Sequence, residues 1–185
     1  MLLKKIPLEG ALEIECLPKK DKRGSFVRFF CQKSLSKLFN NTKIVQINSS
    51  YSRMAGTVRG LHFQSSPSQE NKFIRCIRGK IFDVIVDLRK ESNTFGKLYS
   101  VILDSKKMNM IFVPTGFAHG FQTLLPDCEI LYLHTDYHNP ELERGYHYNS
   151  KDLKIPWPMK VTQISDKDKN LEIFKYERKT VFHEV

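Results

Sequence analysis

The chain has 185 residues, enough for one domain with a sizeable hydrophobic core and too few for two full domains. Its 41% hydrophobic and 27% charged residues exclude a disordered chain, and no apolar run approaches the roughly 20 residues that span a bilayer. The 30 Lys and Arg residues against 20 Asp and Glu residues give a net charge of +10, which favours anionic partners.

The positive charge is scattered in short groups, such as KKDKR near the start and KYERK near the end. Groups of this kind are most often solvated surface, so charge alone does not choose among nucleic acid, an anionic membrane surface and phosphorylated small molecules. The start, MLLKKIPLEG, lacks the apolar core of a signal peptide. The four cysteines are widely spaced and suit reduced thiols better than disulfides or a zinc site. We therefore expect a cytoplasmic protein.

Short runs rich in valine, isoleucine and aromatic residues follow one another through the middle of the chain, with turn signals between them. The predicted strands are residues 72–77, 80–88, 98–103, 110–114, 116–125 and 129–137. The first two flank Arg78-Gly79, which predicts a hairpin that turns at Gly79. Strands that recur about every dozen residues predict an antiparallel sandwich or barrel, within a single domain over 1–185.

Little of the chain has a helical pattern. Residues 31–40 carry Leu35, Leu38 and Phe39 at helical spacing, which predicts a short amphipathic helix. Residues 170–182 fit either a helix or an extended arm.

A histidine lies in the middle of a predicted strand in the stretch VRGLHFQ. Because strand side chains alternate between faces, Gly60, His62 and Gln64 share one face, and Leu61 and Phe63 share the other. The apolar face packs against protein, and a polar face inside a small barrel forms a pocket. Most histidines in strands are ordinary hydrogen-bonded residues, so a role for His62 depends on its neighbours.

A second histidine, His119, lies in PTGFAHGF. The spacing from Gly56 to His62, followed later by Pro114 to His119, resembles the two signature motifs of the cupin superfamily. Metal-binding cupins carry His-x-His and a glutamate in the first motif, whereas this chain has Gln64 and a glutamate outside that spacing. The resemblance therefore predicts a cupin-type antiparallel jelly roll with a few short helices and no metal.

Five blocks extend the resemblance: VRGLHFQ, NKFIRCIRGKIFDVIVDLRKESNTFG, VPTGFAHGFQTL, LYLHTDYHNPELERG and IPWP…ISDKD. In this order and at these spacings they resemble the dTDP-4-dehydrorhamnose 3,5-epimerase family. The match covers about residues 17–170, and the tail 171–185, of uncertain structure, lies outside it.

The resemblance implies an isomerase that acts without a cofactor on a nucleotide-linked 4-keto-6-deoxy sugar in a polysaccharide or deoxysugar pathway. The protons on C3 and C5 are acidic because both carbons flank the C4 ketone. His62 matches the general base, and Asp168 matches the carboxylate that orients it. Lys72 matches the cation that stabilises the enolate and also binds substrate, and Tyr132 matches the acid on the far face.

The resemblance also implies residues that bind substrate around these four. They are Arg23 and Arg59 for the diphosphate and sugar, and Gln46, Asn48, His119 and Glu143 in matched motifs, with Asp83 supporting the pocket. Arginine suits phosphate oxygens because its donors form a planar fork. Strict alternation would point Arg59 away from His62, so we expect either a bulge at Gly60 or a site shared in a dimer.

One position departs from the family pattern. Arg28 stands where the family often has a glutamate near the nucleotide base, and we count it among the substrate-binding residues. A cation there leaves dTDP, CDP and GDP sugars open, as well as epimerisation at one carbon only.

Two other activities remain as alternatives: a cupin isomerase that moves the carbonyl of a ketosugar, and a non-catalytic cupin that binds an anionic saccharide or nucleotide. The family further implies a homodimer, and neither nucleic acid nor a membrane as partner.

Overall fold

The structure is a computed structural model that describes residues 1–39 and 42–176. The strands are β1 (Leu2–Lys5), β2 (Leu12–Glu15), β3 (Lys19–Asp21), β4 (Gly24–Phe26), β5 (Gln46–Ser52), β6 (Val58–Gln64), β7 (Lys72–Arg78), β8 (Lys80–Asp87), β9 (Leu98–Asp104), β10 (Asn109–Val113), β11 (Phe117–Thr123), β12 (Cys128–His134) and β13 (Glu143–Gly145). The helices are α1 (Gln32–Leu35), which continues as a 3₁₀ turn over Ser36–Leu38, and α2 (Asp166–Lys169). Within the described ranges, no helix is long and apolar enough to cross a membrane.

Two antiparallel sheets make up most of the molecule. One has six strands in the order β1-β2-β10-β7-β12-β5, and the other has five in the order β13-β6-β11-β8-β9. Within the described part of the chain, strands β3 and β4 pair only with each other. The mainly β, antiparallel fold is confirmed, as a jelly-roll sandwich of two open sheets and not a closed barrel.

The hydrophobic residues form three layers. The central cluster joins the facing sides of the sheets and includes Ile74 of β7, Ile85 of β8 and Ile130 of β12. A second cluster covers the outer side of the six-stranded sheet, where Phe39 packs on β7. The third covers the outer side of the five-stranded sheet with C-terminal residues such as Phe174. Strand β8 is therefore buried on both faces, as its nearly continuous apolar run requires.

All six predicted strands in the middle of the chain exist, and the helix predicted over residues 31–40 is present as about two turns, α1 and the 3₁₀ turn that follows it. Residue 40 lies outside the described residues. Strands β1 to β5 and β13 were not predicted. Of these, β1, β3 and β4 are exposed and lack an apolar alternation, and β13 has only three residues. Helix α2 ends with its C-cap at Asn170, and residues 171–176 form no helix. In this segment Glu172 bridges to Tyr146, and Phe174 is buried. The rest of the predicted arm, 177–182, lies outside the described residues.

The predicted hairpin at Gly79 is wrong. Strands β7 and β8 do not pair, because β7 belongs to the six-stranded sheet and β8 to the five-stranded one. The chain crosses between the sheets at Gly79, where φ is +83° and a Cβ would lie 2.6 Å from Sγ of Cys128. This corner places Lys72 on one sheet and Asp83 on the other.

We expect Gly79→Ala to destabilise the protein by about 3 kcal/mol or more, since it adds a clash to the strain of a positive φ. Gly10→Ala is the matched control, because Gly10 has nearly the same φ, +85°, and the atom nearest to its Cβ position lies at an ordinary contact distance of 3.6 Å. The control should lose only about 1 kcal/mol. Urea unfolding of both variants measures the difference, and equal losses would contradict this account of the corner.

Candidate active site

A cavity of about 880 Å³ opens between the two sheets and receives side chains from both. His62 of β6 and His119 of β11 line it from the five-stranded sheet. Lys72 of β7 and Tyr132 of β12 line it from the six-stranded sheet. Asp168 of α2 reaches the same cavity from the C-terminal segment. The four residues predicted to be catalytic therefore meet in one place.

His62 and Asp168 form a hydrogen-bonded pair. Nε2 of His62 lies 2.7 Å from Oδ1 of Asp168, whose side chain is 4% exposed. Oδ2 of Asp168 accepts the backbone N–H of Gly60 at 3.0 Å. Burial opposes ionisation of Asp168, but the bonds from His62 and Gly60 lower the pKa of its carboxyl below the ordinary value. The imidazole is thus held by a carboxylate that remains charged.

A bulge in β6 turns Arg59 into the cavity. His62 pairs with His119 and Arg59 pairs with Phe121, so three steps along β6 oppose two along β11. This confirms the bulge expected at Gly60, where a Cβ would lie 2.6 Å from the backbone oxygen of His119. The guanidinium of Arg59 donates to Oγ of Ser52 and to the backbone oxygen of Tyr51. Arg59 and His62 consequently line the same cavity.

The expected cation and acid face His62 from the other sheet. Nζ of Lys72 lies 3.2 Å from Oε2 of Glu70, and the Lys72 side chain is 12% exposed. The hydroxyl of Tyr132 lies 3.1 Å from Oγ of Ser50. Burial raises the pKa of Tyr132 well above its ordinary value, so the phenol keeps its proton at neutral pH.

His119 and Asp83 form a second imidazole–carboxylate pair. Nε2 of His119 lies 2.7 Å from Oδ2 of Asp83, and both side chains are buried. The ring of His119 meets that of Tyr132 edge to face, with centroids 6.2 Å apart. Asp83 thus holds His119, which lines the cavity, by a hydrogen bond.

Two further predicted residues, Asn48 and Glu143, line the cavity. Glu143 pairs with Lys167 at 2.7 Å and lies 3.3 Å from Nε2 of His138. Burial is the largest single influence and raises the pKa of Glu143, but the contacts with Lys167 and His138 together lower it below the ordinary value. Glu143 thus brings a negative charge to the rim that a neighbouring ammonium balances.

Three predicted substrate-binding residues do not line the cavity of a single chain: Gln46, Arg23 and Arg28. Gln46 instead accepts the backbone N–H of His138 and so supports a lining residue. Arg23 lies in the exposed β3–β4 hairpin, where its guanidinium pairs with Asp21 at 2.7 Å. Arg28 is exposed beyond that hairpin, beside Phe26 and Leu17.

His134, His138 and Lys167 also line the cavity although they were not predicted to, and Glu70 lines it without a predicted role. His134 follows Tyr132 by two positions on β12, so alternation alone places both on one face. That signal was available in the sequence. His138 and Lys167 lie outside the strands, where no periodicity indicates a direction.

The cavity places an oriented imidazole on one side, and an ammonium and a protonated phenol on the other. Such an arrangement is able to remove a proton from a ligand held between the sheets, stabilise the resulting anion and return a proton from the far side. Among residues 1–39 and 42–176, no group of three or more His, Cys, Asp or Glu side chains is arranged to hold a metal ion.

Comparison with known proteins identifies relatives over nearly the whole chain. The family model for dTDP-4-dehydrorhamnose 3,5-epimerase matches residues 5–176, a wider span than the 17–170 covered by the sequence blocks. The dTDP-4-dehydrorhamnose 3,5-epimerase of Methanothermobacter thermautotrophicus is 40% identical over 169 residues, 90% of each chain.

Two solved structures superpose closely. The enzyme of the same name from Bacillus anthracis, with TDP and pyrophosphate bound, has a TM-score of 0.87 at 40% identity, over 94% of this chain and 100% of that one. The dTDP-6-deoxy-D-glucose-3,5-epimerase of Legionella pneumophila, in complex with dTDP-4-keto-L-rhamnose, has a TM-score of 0.87 at 35% identity, over 93% and 92%.

We expect Asp168→Asn to lower the free energy of unfolding by about 2 kcal/mol at pH 7, because a buried charged acceptor is lost. The pKa of Asp168 is lowered in the folded state, so its contribution is present above the unfolded pKa of about 3.9. It is lost as the pH falls through the lower folded pKa, and the difference between variant and wild type should shrink below about pH 4.

Asp166→Asn is the control in the same helix, since its side chain is 92% exposed and, among the described residues, pairs only with Lys169. It should change stability by less than about 0.5 kcal/mol. Urea unfolding between pH 3 and pH 7 measures both variants. A loss at Asp168 that does not vary with pH would show that its charge is not what stabilises the fold.

Proposed function

The chain belongs to the dTDP-4-dehydrorhamnose 3,5-epimerase family, and we propose that it epimerises C3 and C5 of dTDP-4-keto-6-deoxyglucose. It is an isomerase. The observation that carries the proposal is the position of the base and the acid on facing sheets: His62 with Asp168 on one side of the cavity, Lys72 and Tyr132 on the other. A sugar ring between them would have one face toward each.

The proposed reaction begins when His62 removes the proton from C3 or C5. The electron pair moves into the C4 carbonyl, and the enolate oxygen is stabilised by the ammonium of Lys72. Tyr132 then returns a proton to the same carbon from the other face, which inverts it. The proton taken by His62 is released to solvent, and Tyr132 recovers its proton from solvent. No electrons are gained or lost, so the route needs no cofactor.

We assign the diphosphate to Arg59, which lies on the same strand as His62 and lines the same cavity. The bound TDP and dTDP-4-keto-L-rhamnose of the two solved relatives support thymidine as the base. The cation at Arg28 leaves CDP- and GDP-linked sugars as outcomes for experiment.

We further propose a homodimer in the cytoplasm. Arg23 and Arg28 do not reach the cavity that holds His62 within their own chain, so a role in binding substrate there requires a second copy. Exposed Phe26 and Leu17 beside them, at 69% and 52% exposure, offer apolar surface for that contact. The four described cysteines are free, which suits a reducing compartment.

Incubation in D₂O with dTDP-4-keto-6-deoxyglucose should place deuterium at C3 and C5, as read by NMR and mass spectrometry of the product. His62→Ala should reduce exchange by about 10²–10⁴-fold, because the positioned base is lost. Binding of dTDP, measured by calorimetry, should be nearly unchanged.

His147→Ala is the matched control: His147 lies outside the cavity and packs beside Tyr148, so exchange should continue at the wild-type rate. Deuterium at one carbon only would identify a mono-epimerase, and a displaced carbonyl would identify a ketosugar isomerase. If dTDP-, CDP- and GDP-linked substrates all fail to exchange, the proposed epimerase activity is wrong.

The homodimer predicts a mass of about twice 21.6 kDa in light scattering after size exclusion. In a shared site, Arg23→Ala should raise KM for the sugar nucleotide without changing that mass. The neighbouring Lys22→Ala serves as the control. A fully active monomer whose KM does not respond to Arg23→Ala would overturn this arrangement.

A further inference from the structure

A third imidazole–carboxylate pair lies in the cavity, and the proposed reaction gives it no role. Nδ1 of His134 lies 2.8 Å from Oε1 of Glu70, and the two side chains are 9% and 8% exposed. The other carboxylate oxygen, Oε2, lies 3.2 Å from Nζ of Lys72. Glu70 therefore connects His134 to the cation that is proposed to stabilise the enolate.

The hydrogen bonds define which nitrogen of His134 carries the proton. A carboxylate only accepts, so Nδ1 donates to Glu70. Nε2 lies 3.4 Å from Nδ2 of Asn48, an amide nitrogen that only donates, so Nε2 accepts. Both nitrogens of a neutral ring are thus satisfied at once, which leaves the ring a single orientation.

The main chain reinforces this orientation. His134 and Lys72 are directly paired on antiparallel strands, so their side chains share the cavity face. The next residue, Thr135, exchanges backbone and side-chain hydrogen bonds with Asn71 and Gln69, on either side of Glu70. The end of β12 therefore holds Glu70 in two ways. His134 bonds its side chain, and Thr135 fixes the main chain on either side of it.

Glu70 is charged in this setting. Burial opposes its ionisation, but the hydrogen bond from His134 and the charge of Lys72 lower its pKa below the ordinary value. A carboxylate with one oxygen held by His134 presents the other to Lys72 in a fixed direction. Only one donor of the ammonium is used in this way, which leaves the others for a ligand.

We propose that His134 is a positioning residue of the epimerase, which acts through Glu70 to aim the ammonium of Lys72 at the enolate oxygen. This inference rests on the proposed function. The ring of His134 also stacks on that of Tyr132, with centroids 6.0 Å apart and planes 22° apart, so the same residue steadies the proton donor. Phenylalanine at this position would keep the stack and remove the hydrogen bonds.

His134→Phe should therefore lower kcat by about 10- to 100-fold, the effect of a misplaced stabilising group. KM should stay within about twofold, because ground-state binding is not what His134 supplies. Glu70→Gln should give a similar loss and provides a second variant if His134→Phe folds poorly. His134→Gln, which retains an N–H donor, should recover part of kcat.

A double-mutant cycle separates positioning from a general structural effect. In a Lys72→Met background, His134→Phe should cost little more, because the group that it positions is already gone. His147→Phe is the control and should leave kcat unchanged in both backgrounds. Additive losses, or an unchanged kcat in a folded His134→Phe protein, would overturn the inference while the wild-type exchange rate still supports the epimerase.

A readout without substrate tests the geometry itself. Long-range ¹H–¹⁵N NMR of the neutral His134 ring should show the proton on Nδ1, and Glu70→Leu should abolish that preference. A proton on Nε2 in the wild type would overturn the inference whatever the activity. Wild-type protein that exchanges no substrate would instead overturn the proposed function, and the positioning role with it.

Discussion

The rest of the site depends on the hydrogen bonds made by the buried carboxylate of Asp168. Its two oxygens accept from the ring of His62 and from the backbone of Gly60, at the bulge of β6. The N–H of Asp168 is itself capped by Ser165 at the start of α2. This charge links the C-terminal segment to the strand that carries the proposed base, next to the backbone hydrogen bond from Val58 to Gln163. A buried charge is tolerated only when it is paired and hydrogen-bonded, so the segment and the bulge each require the other.

The sandwich explains why the proposed base and the proposed acid come from different sheets. An antiparallel strand presents alternate side chains to the interior, and two facing sheets therefore supply two opposed sets of side chains. Farther into the sandwich this interior is filled by Ile74, Ile85 and Ile130. Tyr132 packs against that cluster and still reaches the cavity. The apolar core therefore sets the position of the phenol and, through burial, keeps it protonated.

Local patterns predicted most of the strands and the faces of β6 correctly, because alternation and β-branched residues act within a few residues. Pairing is a longer-range property. The sequence around Gly79 is compatible with a hairpin, and it is the pairing of β7 with β10 and β12, and of β8 with β11 and β9, that shows that the chain changes sheets there. The exposed strand β1 has no apolar face for a pattern to reveal.

The residues of the site also differ in how far the sequence could predict them. His62, Lys72, Tyr132 and Asp168 were recognised because their motifs resemble a known family, and the structure brings them together although Asp168 is more than a hundred residues from His62. His134 was missed although it shares a strand face with Tyr132. Alternation indicates which face of the strand a side chain lies on. It does not show that the carboxylate of Glu70, from the segment before β7, lies next to His134 on that face.

The charges of the cavity do not reflect those of the whole chain. The chain carries +10, yet the described lining holds three carboxylates (Glu70, Glu143 and Asp168) and three cations (Arg59, Lys72 and Lys167). Its remaining ionisable groups are one phenol and four imidazoles: His62, His119, His134 and His138. With the imidazoles neutral the lining is balanced, so a diphosphate enters as an uncompensated anion. Arg59, Lys72 and Lys167 must then divide their charge between the resident carboxylates and the ligand. Glu70 is held by its hydrogen bond from His134 and so keeps its position when the ligand binds. Lys72 then keeps one donor on Glu70 and offers the others to the substrate.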